Sequence, residues 1–315
     1  MDNKNILIIG GAGFIGSHLV DRCLNEGLNV WVYDNFSTGK KTFLGKLGAD
    51  KIIKGDILDA NFLCDAINDC KPEIIFHLAA VHHIPTCEKE PRHALKVNIE
   101  GTANVLEFCN EKVKKFVFAS TGALYDPSNI GSLSEESPLK PSDIYSISKM
   151  TCEYLMEYYS KKKNIKIMSA RLFNTVGRRE TNRHLIPDIL DQLVEGRNEI
   201  RLGNLTPLRD YIHVEDVAEA LFEIAKLETT NDFEIFNVGT GVEHSVVDLV
   251  NLFSEVIGKE IKIVSDEKLK RKIDRPTQKA DSSKLQRMTI WKPRRSLKQA
   301  LKEVWEESHE RVLKD

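Results

Sequence analysis

Long apolar runs are missing from this chain of 315 residues. No stretch approaches the roughly 20 residues that a membrane-crossing helix needs, so the composition excludes a protein built of such helices. An excess of either charge is missing too. The 45 Lys and Arg nearly balance the 47 Asp and Glu, leaving a formal charge of -2. No basic field therefore invites nucleic acid or an anionic membrane surface. Anionic ligands must be gripped by locally placed Arg, Lys and backbone N–H groups, which points to a small-molecule pocket. Cysteines occur at 23, 64, 70, 87, 109 and 152 without any CxxC pair. They read as reduced and mostly buried thiols. The start, Met1 to Asn5, runs directly into Ile6–Ile9 with neither the length nor the cleavage site of an export signal, and a cytoplasmic address is expected. Internal repeats, low-complexity tracts and long linkers are also missing.

What is present is an ordinary globular balance, 41% hydrophobic and 29% charged, enough for one large domain or two intimate ones. Short β-branched runs alternate with amphipathic stretches through the first half. Ile6–Ile9, Val30–Tyr33, Lys51–Ile53, Ile74–Phe76 and Phe116–Phe118 read as buried strands. Helices are predicted from Phe14 to about Leu24 and around Val97 to Cys109. Later, Phe233–Val238 reads as a strand, and Asp216 is expected to cap a helix from Val217 to about Leu227. Near-continuous apolar strands between helices predict an α/β fold, a parallel sheet covered on both faces.

Gly10-Gly11-Ala12-Gly13-Phe14-Ile15-Gly16 follows the first strand and opens a helix. Glycines at 10, 13 and 16 allow a tight turn, close approach to a pyrophosphate and close helix packing. The N–H groups at the start of that helix, around Phe14 and Ile15, and its positive end then face phosphate. Asp34 closes the second strand, placed to accept the ribose hydroxyls of an adenosine and to repel a 2′-phosphate. NAD is the expected cofactor, with Lys40 and Lys41 leaving NADP open. Asp56 reads equally as an adenine contact and as a helix cap.

Tyr145 and Lys149 stand four residues apart, which puts them on one helical face, a turn apart. A free phenol, with a pKa of about 10, is a poor base. The Lys149 ammonium and a positive nicotinamide ring are expected to favour the phenolate. Thr121 lies just beyond the strand Phe116–Phe118, where ligands of open α/β sheets gather, and is placed to share the reacting proton. Ser120 is the alternative for that role.

Taken in order, GGAGFIGSHL (10–19), DNFSTG (34–39), GDI (55–57), HLAA (77–80), YSISK (145–149), RLFNTVG (171–177), RDYIHVEDVAEA (209–220) and FNVGTG (236–241) resemble the extended short-chain dehydrogenase/reductase family, in its nucleotide-sugar epimerase and dehydratase branch. The resemblance covers almost the whole chain. It implies a Rossmann-type doubly wound sheet with a smaller, interleaved substrate domain. On that reading, residues 1–173 with about 207–240 hold NAD, and about 174–206 with 241–315 hold a nucleoside diphosphate sugar. It implies Ile57 and Ala79 as further cofactor contacts, Asn174 and Arg209 as phosphate-holding positions, and a homodimer through the helix of Tyr145. A planar Arg fork suits phosphate oxygens. Either Arg271 or Arg275 supplies the next one: the spacing to Ala280-Asp281 favours the first, the Asp-Arg-Pro context the second.

Both reactions of the branch begin with proton removal from the sugar's 4-hydroxyl and loss of hydride from C4. Dehydration then needs added acid–base groups, which in dehydratases follow the catalytic threonine as Asp-Glu. Here Gly122 and Ala123 follow Thr121, and neither moves a proton, so a 4-epimerase acting on a UDP-hexose is expected. A 4,6-dehydratase or another 4-keto-forming enzyme of the same family, and a cofactor-sensing protein without catalysis, are the alternatives. The loop from Val81 to Glu88 departs from the familiar epimerase loop. His82 is expected beside the substrate, and both His82 and His83 are open to an acid–base or a structural role. No metal is expected.

Overall fold

The computed structural model describes residues 4–181, 184–269 and 275–312. Seven strands form its central sheet: β1 (Asn5–Ile9), β2 (Asn29–Asp34), β3 (Ile52–Lys54), β4 (Ile74–His77), β5 (Lys115–Thr121), β6 (Lys166–Leu172) and β7 (Phe233–Val238). Their spatial order is β7-β6-β5-β4-β1-β2-β3, and every neighbouring pair is parallel. The five strands expected in the first half all form, as does β7. This is the Rossmann-like α/β sheet that the alternating pattern predicted.

Because side chains alternate across a strand, each strand feeds two cores. Ile6, Ile8, Val30, Val32, Val117 and Phe236 pack to one side, beneath α1 (Phe14–Asn25) and a later helix, Val214–Lys226. Leu7, Ile9, Tyr33, Ile75, Phe116 and Phe118 pack to the other. There they meet α2 (Ala60–Cys70), α3 (Thr102–Phe108) and α4 (Ile144–Lys163). Burial on both faces explains why the strands read as continuous apolar runs. The chain adds β2 and β3 on one side of β1, then crosses over to add β4 onwards on the other. The crevice at the carboxyl ends of β1 and β4 is thus the switch point where such sheets take their ligands.

One expectation fails. The helix after Ile212 is Val214–Lys226, with His213 as its N-cap. Asp216 lies inside its first turn, 1% exposed. Its carboxylate accepts the Arg294 and Arg295 N–H groups, each at 2.9 Å, and a guanidinium nitrogen of Arg295 at 2.6 Å. A carboxylate in a first turn reads as a cap in the sequence; here its partners lie almost eighty residues away.

Segments beyond Asn174 build a third core away from the sheet. It comprises Ile189 and Leu193 of helix Leu185–Val194, Leu249 and Phe253 of helix Val246–Ile257, and Ala300 and Leu301 of helix Leu297–Val312. Nearby, the fully buried Asp210 ties the turn after β7 to the segment at Ala280. It accepts the N–H groups of Thr240 at 2.9 Å, Gly241 at 2.8 Å and Ala280 at 3.1 Å. Among the described residues, no helix is long and apolar enough to cross a membrane.

Candidate active site

The glycine loop leaves β1 at Gly10, whose φ of +83° suits glycine. A Cβ there would stand 2.6 Å from the Ala79 nitrogen, and one on Gly16 would stand 2.1 Å from the Gly10 oxygen. The loop is therefore pressed against the start of the Ala79 segment on one side and its own helix on the other. Gly13 caps α1 with no side-chain hydrogen bond, and no acid lies in the first turn, which Phe14 and Ile15 open. The helix end keeps its positive field and its first N–H groups for an outside anion. That bare end fits a diphosphate.

Asp34 borders the same crevice. One carboxylate oxygen accepts Ala12 N–H at 2.9 Å and the other accepts Phe36 N–H at 2.8 Å. Burial pushes its pKa up, while these two bonds work against the rise. Each oxygen retains acceptor capacity for a ribose hydroxyl. Lys40 lies over the Phe43 ring, 5.7 Å from its centre. Asp56 accepts Leu58 N–H at 2.9 Å and the Asn35 amide at 3.0 Å. The cap of α2 is Asp59, which removes the cap reading of Asp56. Ile57 is buried beside it.

Tyr145 and Lys149 occupy successive turns at the start of α4. Asp143 and Ser146 cap this helix reciprocally, and Glu88 accepts Ile144 N–H at 2.9 Å. Lys149 is 3% exposed. Its ammonium donates to Ala119 O at 2.7 Å, 4.4 Å from the centre of the Phe118 ring and 6.0 Å from that of Tyr145. Burial lowers its pKa to about 8. The Tyr145 phenol shares a hydrogen bond with Thr121, yet burial raises its pKa above the ordinary value. The side chains by themselves thus keep the phenol protonated, because desolvation outweighs the Thr121 bond. Thr121 also accepts Ala123 N–H at 3.1 Å. Ser120, 2% exposed, has a buried hydroxyl without a partner among the described residues.

Asn98 was not singled out in the sequence. Its side chain accepts Val81 N–H at 2.8 Å and donates to Val81 O and Ser148 Oγ, each at 2.9 Å. Ser148 in turn donates to Tyr145 O at 2.7 Å. Asn98 thereby fixes the Val81 loop to the helix that bears Tyr145. It sits in a π-turn, Lys96–Gly101, of the kind that recurs at functional sites. Lys96, Glu100 and Asn104 stand in the same stretch, so no local sequence signal separates Asn98 from its polar neighbours. Likewise, Arg171 on β6 pairs with Glu153 on α4 at 2.7 Å and donates to Tyr125 Oη at 3.0 Å.

His82 and His83 lie next to His184, with ring centres 6.2 and 5.7 Å apart. Burial lowers the His82 pKa to about 4, helped by the nearby His184 and Lys149, so its imidazole is neutral near pH 7. No group of three or more His, Cys, Asp or Glu among the described residues can hold a metal ion.

Asn174 donates to Asp210 O at 3.4 Å, next to Arg209. One guanidinium nitrogen of Arg209 donates to Leu208 O and Arg275 O, both at 2.8 Å. The structure thus gathers Asn174, Arg209 and Arg275 into one neighbourhood. Arg271 lies outside the described residues.

A family model described as the NAD dependent epimerase/dehydratase family matches residues 6–239. UDP-glucose 4-epimerase of Lactobacillus helveticus is 30% identical over 307 residues, covering 92% of each chain. The solved UDP-glucose 4-epimerase of Thermotoga maritima, with UDP-glucose, aligns at a TM-score of 0.88 and 30% identity, covering 99% of this chain and 100% of that one. The Thermus thermophilus UDP-glucose 4-epimerase in complex with NAD aligns at 0.85 and 28%, covering 96% and 98%. On the family match over residues 6–239 and these likenesses over nearly the whole chain, the chain belongs to the NAD-dependent epimerase/dehydratase family of nucleotide-sugar enzymes.

Proposed function

We propose that the protein is a nucleotide-sugar 4-epimerase that acts on a UDP-hexose through a transient 4-keto sugar. The observation that carries this reading is the turn Gly122–Leu124, directly after Thr121. It supplies no acid or base beyond the Thr121, Tyr145 and Lys149 set, and dehydration demands one.

In this reading Gly10, Gly13, Phe14, Ile15 and Gly16 cradle the diphosphate of NAD. Asp34 takes the ribose hydroxyls, and Asp56, Ile57 and Ala79 flank the adenine and nicotinamide ends. When bound, the oxidised nicotinamide supplies a hydride acceptor, which later returns the hydride, and a positive charge that favours the Tyr145 phenolate. Tyr145 takes the proton of the sugar's 4-hydroxyl and gives it back once the keto sugar has presented its other face. Thr121 holds the same oxygen, and Lys149 keeps the helix face electropositive. Asn174 and Arg209 grip the sugar nucleotide's phosphates, and His82 borders the sugar. Residues 1–173 with about 207–240 serve the cofactor; about 174–206 with 241–315 serve the substrate. Two copies pair through the outer face of α4, where Ile147, Tyr154 and Tyr158 are 42%, 63% and 59% exposed.

The test is incubation with a panel of nucleotide sugars and NMR of the products. Inversion at C4 without change of mass or added reductant is expected, and Tyr145→Phe lowers kcat by roughly 10²–10⁴-fold, the usual worth of a positioned acid–base group. A stable 4-keto-6-deoxy product would overturn the reading in favour of a dehydratase that uses His82. Unchanged function in Tyr145→Phe would favour a non-catalytic sensor.

A further inference from the structure

The turn after Thr121 has little of its own to hold it. Gly122 has no side chain, Ala123 has no polar one, and the closing bond from Tyr125 N–H to Gly122 O is long, at 3.4 Å. Its three outer carbonyls are nevertheless all engaged. Leu124 O accepts Lys140 N–H at 2.8 Å. The carbonyls on either side go to one guanidinium: Arg275 donates to Ala123 O at 2.5 Å and to Tyr125 O at 2.7 Å.

We propose that Arg275 is a positioning residue for the catalytic turn, fixing where the Thr121 hydroxyl stands, and that it is not a grip on the substrate's phosphates. The link is short. Ala123 gives its N–H to Thr121 Oγ1 at 3.1 Å and its carbonyl to Arg275, so one residue connects the guanidinium to the reacting hydroxyl. Arg275 is itself placed by Arg209, which donates to the Arg275 carbonyl at 2.8 Å. The charges facing it are Asp143 and Asp126, which attract it, and Arg209, which repels it. Asp143 is also the N-cap of α4. Arg275 thus bonds the turn that follows Thr121 and lies within electrostatic reach of Asp143, the cap of the helix that carries Tyr145. A planar fork gives each carbonyl its own N–H in a fixed geometry, whereas an ammonium on a flexible stem holds its partners less rigidly. Misplacement of a reacting group by about 1 Å can cost 10²-fold in rate.

This inference rests on the reading of Thr121 as the hydroxyl beside the sugar. The experiment compares Arg275→Lys and Arg275→Ala with the parent for kcat, KM, UDP affinity by calorimetry and amide exchange at Ala123. UDP carries the diphosphate without the sugar, so it reports phosphate gripping by itself. Expected are a fall in kcat of about 10–100-fold with KM within about threefold, unchanged UDP affinity and faster exchange at Ala123. Ethylguanidinium should restore part of the kcat of Arg275→Ala and none of that of Arg275→Lys, whose stem fills the space. A tenfold loss of UDP affinity with kcat intact, or Ala123 exchange equal to the parent's, would overturn the proposal. Arg275→Lys keeps the charge and most of the bulk, so it reads out even if Arg275→Ala does not fold. Were the nucleotide-sugar panel to show no epimerisation, Ala123 exchange would still decide whether Arg275 holds the turn.

Discussion

Lys149 loses basicity for the same reason that Tyr145 loses acidity: both are pulled out of water on successive turns of α4. The sequence suggests an ammonium that draws the phenol's pKa down. In the structure that ammonium is directed to Ala119 O and the Phe118 ring, and desolvation dominates both groups. That Tyr145, Lys149 and Thr121 share one neighbourhood was legible, the first two from their spacing and Thr121 from its place at the end of β5. The sign of the phenol's shift was not, because it depends on burial. A similar balance governs His77, which is fully buried and donates to or accepts from Thr102 Oγ1 at 2.8 Å. Burial holds its pKa at about 3, against 6.5 for an unperturbed imidazole. The folded protein therefore keeps His77 neutral while the unfolded chain takes up a proton below pH 6.5. The stability contribution is complete above that value and is lost as pH falls towards 3. Urea melts at pH 7 and pH 5 should show a drop about 2 kcal/mol smaller in His77→Gln than in the parent. Equal drops would show that His77 titrates normally in the fold.

At the scale of elements, strands and the first helix were readable because local periodicity decides them. Their caps were less so. Asp59 rather than Asp56 caps α2, and Asp216 serves Arg294 and Arg295 from within a helix. For Asp216 the deciding partners are backbone positions almost eighty residues on, which no short motif specifies. The glycine loop is the opposite case, since its demands are steric and local. In Gly16→Ala the new methyl would overlap the Gly10 oxygen, and the loop and α1 would have to part. A lower thermal midpoint is expected, with destabilisation of about 1–3 kcal/mol as for other overpacked sites, together with NAD affinity weakened at least tenfold. Calorimetric titration with NAD on a sample confirmed as folded by circular dichroism measures both. Parent-like affinity would mean that the loop adjusts without moving its N–H groups.

For the whole molecule, the half that forms the sheet was legible almost strand by strand, whereas the third core was not. Its helices are recruited from stretches that begin at Leu185, Val246 and Leu297, and the pairing of Glu199–Leu202 with Lys262–Ser265 has no counterpart in any local pattern. The outer face of α4 bears on assembly at this scale. If two copies pair through Tyr154 and Tyr158, replacing both by Glu places four carboxylates in one apolar seam, and a charge left unpaired there is strongly unfavourable. Sedimentation should then give a monomer for the double variant and a dimer for the parent. Identical sedimentation of the two would place the interface elsewhere.

The pairing of β7 with β6 carries a consequence for biogenesis. Residues 233–238 complete a sheet whose neighbouring strand, 166–172, was made some sixty residues earlier. Until that late segment leaves the ribosome, the nascent polypeptide displays the backbone edge of β6 with an unfinished apolar layer behind it, the sort of surface that sticks to other chains. Translation stalling or premature termination before residue 233 would thus yield an aggregation-prone product, and the interval just before it is where a holdase chaperone has most to protect.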